Sequence, residues 1–497
     1  MTTRLAPASK LSLLSISLYY LVACIIAVIA FAAIINGQFW TLSLSPYTLF
    51  SITISLSLGV SLFWFGSRSK AFDPLEIIYP ITLFYLLNYP IRALFVTLFP
   101  GDALLPPYWP GEVQMTYALN LSVAGMIMFY MGYLLNRKGF PFYIIPKFFF
   151  KWKNDFANLK ILSLYGIGLT AWIVLFLSGR GLRFQWASDN GTLDYVWILL
   201  GSFRIWAIFL VWSNSLSEKK APSVLAYILL FIEIILNLGI GSKQAVFDVL
   251  MAVLFTYRYI LKQTPWRLLV LVSLIFIFVF TPMIQIYRDT YANTLGYKPS
   301  PSLNDIFNVI QKYPQDIIQN TNTWGMYAIT YTGNRAAYLD TVTLLTSMVP
   351  SILPYQSGQT LMLGIWGFIP RFLWPDKPVL NMGSYATTVI FSSSSSSNTP
   401  LTDIGEFYLN YGLAGVLIGM FALGALFRSV YLYCKSLIEF DAITGSLMYL
   451  SLFSSLVFLQ TGVGSITTAL TRIVPLTIVT EWFLTGMIKR HPGGTYG

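Results

Sequence analysis

The sequence predicts an all-α protein that crosses a membrane many times, and three observations lead to this fold class. Of the 497 residues, 56% are hydrophobic and only 10% are charged, whereas charged residues make up about 25% of a typical soluble domain. The mean hydropathy is +0.66. Apolar stretches of about 20 residues, long enough to cross a bilayer as helices, recur along the chain. These values exclude a soluble globular protein.

Twelve apolar stretches are predicted to be membrane helices. The first follows Arg4 and Lys10, as in a signal peptide, but it is too long for the apolar region of one, so we expect an uncleaved span. The third contains Pro80 and Pro90, which membrane helices tolerate where neighbouring groups satisfy the backbone. The predicted spans are 12–35, 43–65, 74–97, 114–135, 159–178, 195–213, 221–239, 244–262, 267–286, 405–427, 443–459 and 463–487.

Basic residues alternate between the connectors of these spans. With the N-terminus inside, the inner segments hold 19 Lys and Arg residues, and the short outer connectors hold only Arg180, Arg183 and Lys243. Basic residues favour the cytoplasmic side of a membrane. We therefore expect both termini in the cytoplasm. The net charge of +11 then indicates contact with the cytoplasmic leaflet, not with nucleic acid.

One connector is far longer than the others and divides the chain. We expect an N-terminal membrane bundle over residues 1–286, a large outer loop over 287–404 and a C-terminal membrane bundle over 405–497. Because the other connectors are short, this loop is the place where we expect the chemistry.

Helices, not strands, are predicted within the long loop. Leu303, Ile306, Phe307 and Ile310 follow the i, i+3, i+4, i+7 spacing of one helical face. The stretch 336–349 is a second helical candidate.

Cysteine and histidine are too scarce for several kinds of site. The two cysteines, Cys24 and Cys434, are expected within the bilayer and on the cytoplasmic side, so no disulfide framework is predicted. The one histidine, His491, lies seven residues from the C-terminal end of the sequence, which excludes most histidine-based catalysis and most zinc sites. We expect no metal and no other cofactor.

Two outer segments carry cations in a setting that suits an anion. Arg180 and Arg183 flank a glycine in a short outer connector, and guanidinium groups match phosphate oxygens well. In the long loop, three prolines stiffen 370–378 around Arg371 and Lys377, as a preorganised anion site requires. For the connector with Arg180 and Arg183, the alternative is an ordinary exposed loop. For 370–378, the alternative is an amphipathic segment anchored at the membrane interface by Trp374.

Arginines predicted at bilayer depth are costly and suggest function. They are Arg92, Arg204 and Arg472. Arg204 can instead form a structural ion pair with Glu233 on the next predicted span. Arg472 precedes Pro475 and could hold an anionic headgroup in an outer cavity.

Two carboxylates stand at the entry to the tenth predicted span. Asp403 and Glu406 have the spacing of a capping box, with Asp403 as the N-cap and Glu406 three residues later. The alternative is a carboxylate that activates a sugar hydroxyl.

Four motifs resemble, in their order along the chain, those of the Wzy-type polysaccharide repeat-unit polymerases. They are Arg180 followed after ten residues by Gly191; the turn Gly241-Ser242-Lys243; Pro-Arg-x-x-Trp-Pro-x-Lys-Pro at 370–378; and Gly405, Glu406, Tyr408 and Gly412 at the tenth span. A second Arg-x10-Gly pattern departs by one residue, because eleven residues separate Arg371 from Gly383. The late position of the large outer loop is also similar.

The resemblance implies a bacterial inner-membrane glycosyltransferase with a GT-C-like helical fold, acting in O-antigen or exopolysaccharide synthesis. It would transfer a growing glycan from undecaprenyl pyrophosphate to the non-reducing end of an incoming lipid-linked repeat unit, without a metal. The implied partners are that lipid-linked oligosaccharide, the membrane lipid and a chain-length regulator protein.

The resemblance also implies roles for particular residues. Cations on the outer side would stabilise the leaving pyrophosphate, a carboxylate would act as base, and aromatic rings would contact the sugars. The predicted pyrophosphate contacts are Arg180, Arg183, Arg371 and Lys377, then Arg288, Arg335 and Arg472. Glu406 is the predicted base, and Trp374 and Tyr408 are predicted to bind substrate.

Two alternatives come from other classes. An O-antigen ligase has a similar layout but uses an outer-loop histidine, and this sequence has none in its predicted outer segments. A lipid-linked oligosaccharide flippase or another transporter would fit the number of spans, but transporters usually show repeated halves and no single dominant outer loop.

Overall fold

The computed structural model describes residues 45–67, 72–106, 108–142, 148–149, 158–178, 192–219, 221–264, 266–296, 303–320, 324–366, 369, 374, 385–390, 401–457, 462–485 and 489–490. The predicted first span, 12–35, lies outside these residues.

Helices make up nearly all of the described chain, as predicted. Two strands of two residues each pair antiparallel: β1 (Phe148–Phe149) and β2 (Lys489–Arg490). The helices are α1 Pro46–Ser67, α2 Ile78–Asn88, α3 Pro90–Leu98, α4 Glu112–Leu135, α5 Asn158–Leu177, α6 Thr192–Gly201, α7 Phe203–Lys219, α8 Val224–Ile240, α9 Lys243–Phe255, α10 Trp266–Ile275, α11 Thr281–Leu295, α12 Leu303–Gln319, α13 Trp324–Arg335, α14 Tyr338–Met348, α15 Gln359–Trp366, α16 Asp403–Phe440, α17 Ala442–Val457 and α18 Val463–Thr485. The π-helical turns are Thr256–Ile260, Phe276–Phe280 and Ala386–Ile390.

Seven helical segments of the described chain are long and apolar enough to cross a membrane. They are Pro46–Trp64, Ile78–Leu98, Glu112–Leu135, Leu159–Leu177, Val196–Leu216, Trp266–Leu295 and Asp403–Phe440. Val224–Gly239 and Ala442–Phe453 are apolar but shorter. An all-helical membrane protein is therefore confirmed, while the count of twelve spans stays a prediction.

Two predicted spans depart from a regular α-helix. The span predicted at 74–97 is divided at Tyr89, directly before Pro90, because proline disfavours the helical conformation of the residue before it. The span predicted at 267–286 contains a π-helical turn and continues to Leu295. Helix therefore extends nine residues beyond the predicted end of that span.

The predicted helices of the long loop are confirmed. The first runs over Leu303–Gln319 and the second over Tyr338–Met348, with Trp324–Arg335 between them. No strand occurs among the described residues of 287–404.

Helix α16 has a break that a segment of the long loop satisfies. Gly412 has φ 62° and ψ −146°, a conformation open to glycine but not to residues with a Cβ. The backbone N–H of Gln356 donates to Leu409 O at 3.0 Å, and that of Gly358 donates to Asn410 Oδ1 at 2.9 Å. The loop thus pairs polar groups next to the break.

Loop helices contact one end of the bundle, which we call the loop end. Gln114, in the first turn of α4, donates to Thr346 Oγ1 at 3.0 Å, and the Gly358–Asn410 contact lies near the start of α16. At the opposite end, Asp73 accepts from Arg258 Nε at 2.9 Å, and Glu76 pairs with Arg428. The bundle therefore places the α4 and α16 N-termini at the loop end.

Candidate functional site

Several predicted site residues lie outside the described residues. They are Arg180, Arg183, Arg371 and Lys377. The backbone of Arg472 lies within α18, two turns after its start at Val463, and its side chain is outside the described set.

The two predicted aromatic contacts have different surroundings. Trp374 is half-buried, and its ring centroid lies 5.7 Å from that of Trp366 at the end of α15. Tyr408 is 5% exposed, and its hydroxyl donates to Val349 O at 3.5 Å. Tyr408 thus joins α16 to the end of α14, whereas Trp374 keeps part of its surface open.

The turn between α8 and α9 is built to present Lys243. Gly241 ends α8 in the left-handed conformation, with φ 73° and ψ 24°. Ser242 is the N-cap of α9, and its Oγ accepts from Ala245 N at 3.3 Å. Lys243 is therefore the first residue of α9, where the helix dipole is positive.

Two arginines from other helices meet this turn. Arg288 of α11 donates from Nε and Nη2 to Gly241 O at 3.0 and 2.7 Å. Arg335, the last residue of α13, donates from Nη2 to Gln285 Oε1 at 3.3 Å, one turn before Arg288. We call Lys243, Arg288 and Arg335 the basic cluster.

One carboxylate faces the basic cluster among the described residues. Asp289 accepts from Gln285 Nε2 at 2.9 Å through Oδ1 and from Tyr331 OH at 2.9 Å through Oδ2. Arg335, Arg288 and Asp289 all act on the charge of Lys243. Cationic side chains gathered at a helix N-terminus are a setting in which proteins bind phosphate.

The charges of the cluster change the pKa of Lys243. Its half-buried position and the positive charges of Arg335 and Arg288 lower the pKa of Lys243 to about 7, while Asp289 opposes the shift. The ammonium makes no hydrogen bond to any described residue. A bound anion would therefore find an ammonium whose N–H groups are not engaged by a described residue.

A second group of polar side chains lies at the start of α16. The N-cap is Thr402, with φ 66° and ψ 156°, whose Oγ1 accepts from Gly405 N at 3.1 Å. Asp403 is thus the first helical residue, and the capping-box interpretation, with Asp403 as N-cap, is wrong. A threonine hydroxyl one residue earlier takes the capping role.

Asp403 and Glu406, which we call the acid pair, are each 1% exposed. Glu406 Oε2 accepts from Val463 N, the first residue of α18, at 2.8 Å. Glu406 Oε1 and both carboxylate oxygens of Asp403 have no hydrogen-bond partner among the described residues. Burying a carboxyl without a donor is costly, so this pair suggests a role beyond packing.

Gly462 fixes the position of the Glu406 carboxylate. A Cβ at residue 462 would overlap Glu406 Oε2, and the φ of Gly462 is +76°. We expect Gly462→Ala to destabilise the protein by about 1–2 kcal/mol from backbone strain alone and to displace Glu406. Thermal unfolding in detergent measures this change. Gly239→Ala is the matched control, because nothing lies within 4 Å of a Cβ there; equal unfolding temperatures for the two variants would contradict the prediction.

Arg92 lies between the basic cluster and the acid pair. Its Nη1 donates to Asn334 Oδ1 at 3.1 Å, and Asn334 precedes Arg335. One turn earlier in the chain, the Tyr89 side chain lies near those of Thr402 and Asp403. Residues 89–92 therefore approach both groups at the loop end.

The other predicted membrane arginine with a described side chain forms the expected ion pair. Arg204 Nη1 lies 3.3 Å from Glu233 Oε1, and Glu233 also accepts from Tyr165 OH at 3.0 Å and Asn237 Nδ2 at 3.1 Å. The structural interpretation of this pair is confirmed.

The sequence assigns roles to Arg288, Arg335 and Glu406, but it assigns none to Lys243 and offers Asp403 only as an alternative to a helix cap. The available signal for Lys243 was its position as one of three cations in the short outer connectors. For Asp403 the signal was its spacing from Glu406, which a capping box explained equally well.

The comparisons give one match, to a family model. No curated protein and no solved structure matches the chain. One family model, described as "Domain of unknown function (DUF8712)", matches residues 185–461. That segment is more than half of the 497 residues and holds the basic cluster and the acid pair. The chain therefore belongs to the family described as Domain of unknown function (DUF8712).

Proposed function

We propose that this protein polymerises lipid-linked oligosaccharide repeat units by glycosyl transfer from undecaprenyl pyrophosphate to an incoming unit. In this proposal it has about twelve spans in a GT-C-like arrangement in the bacterial inner membrane. Both termini are cytoplasmic, and the loop end faces outward. The observation that carries the proposal is the convergence of Lys243, Arg288 and Arg335 against the one carboxylate of Asp289.

The chemistry asks for positive charge where the leaving group forms. An acceptor hydroxyl oxygen bonds to the anomeric carbon of the donor glycan, and the bond from that carbon to the diphosphate oxygen breaks. The electron pair leaves with the lipid diphosphate, which gains one negative charge. Cations held in place before the reaction stabilise that charge, and the basic cluster is preorganised by its hydrogen bonds to Gly241 O and Gln285.

The acceptor hydroxyl must also lose a proton. A carboxylate is the group available for this at the loop end, and Glu406 is our proposed base, with Asp403 beside it. Glu406 Oε1 and both carboxylate oxygens of Asp403 have no donor among the described residues, so an oxygen is open to accept the proton. In this proposal the acid pair receives the proton when a sugar hydroxyl approaches.

Reconstitution tests the proposal directly. The purified protein in liposomes is given a lipid-linked repeat unit, and both polymer and released lipid diphosphate are measured. We expect the two products in step, one diphosphate for each linkage. Movement of the lipid-linked unit between leaflets without diphosphate release would favour the flippase alternative.

The pKa of Lys243 predicts a pH dependence. A diphosphate favours the protonated ammonium, so binding raises the pKa above its free value of about 7. Affinity is then highest below pH 7, where Lys243 is charged with or without substrate, and it falls as the pH rises through that range. For a shift of one unit we expect KM to rise about tenfold between pH 6 and 9.

The control for this prediction is Lys243→Arg, because a guanidinium stays charged over the whole range. We expect its KM to vary much less with pH than that of the natural protein. Parallel pH profiles for the two proteins would show that Lys243 does not titrate against the substrate.

A further inference from the structure

Helix α12 carries an apolar edge that no described part of the protein covers. Phe307 is 63% exposed and Ile310 is 53% exposed, and Pro314 is also exposed. Their i, i+3, i+7 spacing puts them on one stripe of the helix. Exposed apolar side chains that are contiguous in this way mark a contact surface.

The other two sides of α12 are accounted for. One side packs on α11: Val309 is fully buried in a cluster with Tyr287 and Tyr291, and Tyr313 OH donates to Met283 O at 3.0 Å. A third side presents an exposed polar edge, whose members are Asn308, Gln311, Lys312 and Gln315. A helix with separate protein, apolar and polar sides is suited to lie at a membrane surface.

The position at which α12 contacts α11 is where a membrane surface is expected. Val309 packs against Tyr291, and Asp316, about 10 Å further along α12, accepts from Thr290 Oγ1 at 2.5 Å. Because neighbouring residues of α11 contact well-separated positions of α12, the two helices cross. They do so around Arg288, where charged residues first follow the apolar stretch of the segment Trp266–Leu295.

The chain after α12 continues toward the apolar part of the same segment. Trp324 Nε1, at the start of α13, donates to Phe278 O at 2.7 Å. Phe278 precedes Arg288 by ten residues, about 15 Å along the helix axis. The chain that follows α12 therefore returns to the apolar part of the segment Trp266–Leu295.

We propose that α12 lies on the membrane surface, with the edge formed by Phe307, Ile310 and Pro314 in contact with lipid acyl chains. The occupant of this edge is lipid and not a partner protein. Helix α12 contains Lys312, Asp305 and Asp316, for a formal charge of −1. Attraction to anionic headgroups therefore contributes nothing, and apolar burial carries the contact. This placement does not depend on the proposed glycosyl transfer.

Spin labels on the full-length protein in phosphatidylcholine liposomes test the placement. Cys24 and Cys434 are replaced by serine, and single cysteines are introduced as Phe307→Cys, Ile310→Cys, Gln311→Cys or Gln315→Cys. Labels at 307 and 310 should collide more often with oxygen than with a water-soluble nickel chelate, and labels at 311 and 315 should show the reverse. Adding phosphatidylglycerol should leave the values unchanged.

Two results would overturn the proposal. Nickel access at 307 and 310 equal to that at 311 and 315 would place the edge in water. Low access to both reagents at 307 and 310 would show that protein covers it. Each labelled variant is first checked for an unchanged unfolding temperature. Ile310→Cys removes a smaller side chain than Phe307→Cys does. If Phe307→Cys does not fold, the result from the label at position 310 is used.

Discussion

Replacing Lys243 by methionine is expected to lower kcat for lipid diphosphate release about 10²–10³-fold, the usual cost of removing one preorganised donor from a developing anion. The substitution keeps the length of the side chain and removes its charge. It also leaves no partner behind, because the ammonium has no hydrogen bond to a described residue. We therefore expect the fold to persist. Release of lipid diphosphate by reconstituted protein measures the effect.

Lys312→Met is the matched control, because Lys312 is an exposed cation on α12 outside the basic cluster. It should retain the kcat of the natural protein. Lys243→Met with an unchanged kcat would remove the basic cluster from the proposed reaction, and the glycosyl transfer proposal would lose its main support.

Replacing Arg92 by methionine is expected to destabilise the protein by about 3–5 kcal/mol, the cost of leaving one member of a buried ion pair alone. Arg92 is fully buried. It binds both carboxylate oxygens of Asp340, at 3.0 Å from Nε and 2.6 Å from Nη2. It also donates to Gly333 O at 2.9 Å and Leu104 O at 3.2 Å. Chemical unfolding in detergent measures the loss.

A double variant separates the ion pair from the rest. Arg92→Met with Asp340→Leu removes both charges, and replacing a whole buried pair by apolar residues is often neutral, so part of the lost stability should return. Arg335→Met, an exposed cation close by in the chain, should change stability little. If the double variant is no more stable than Arg92→Met alone, the pairing with Asp340 is not what the substitution disrupts.

Arg92 also shows why a costly arginine in a membrane segment need not bind substrate. Its predicted position at bilayer depth makes it a functional candidate, yet its N–H donors are occupied by the loop segment 333–340 and by Leu104. Its role in the structure is to hold that segment on α3. Nothing in the apolar pattern around residue 92 points to a partner 248 positions away.

The positions of the helices could be predicted because apolar runs of membrane length are a strong local signal. The effect of each proline could not be read as easily. Pro80 falls in the first turn of α2, where its missing N–H removes no helical bond, whereas Pro90 divides the predicted span. The difference depends on where each helix begins, which is the least certain feature of a sequence.

Some members of the basic cluster could be predicted from the sequence. Arg288 and Arg335 were candidates through a resemblance, and Lys243 belonged to a recognised turn. Their meeting could not be predicted, because it requires α11 and α13 to pack beside the start of α9, and periodicity does not say which helices are neighbours. Likewise, the N-cap at Thr402 depends on a φ of 66°, which is uncommon for threonine and leaves no mark in the sequence.

The π-helical turn Phe276–Phe280 sets the angular direction of every side chain that follows it in α11. Such a turn holds one residue more than an α-helical turn, and one residue corresponds to a rotation of about 100°. A shorter turn would swing Arg288 away from Gly241 and carry Asp289 and Gln285 with it. The direction of a cationic side chain eight positions after the turn is therefore set by one added residue in an otherwise uniform apolar run.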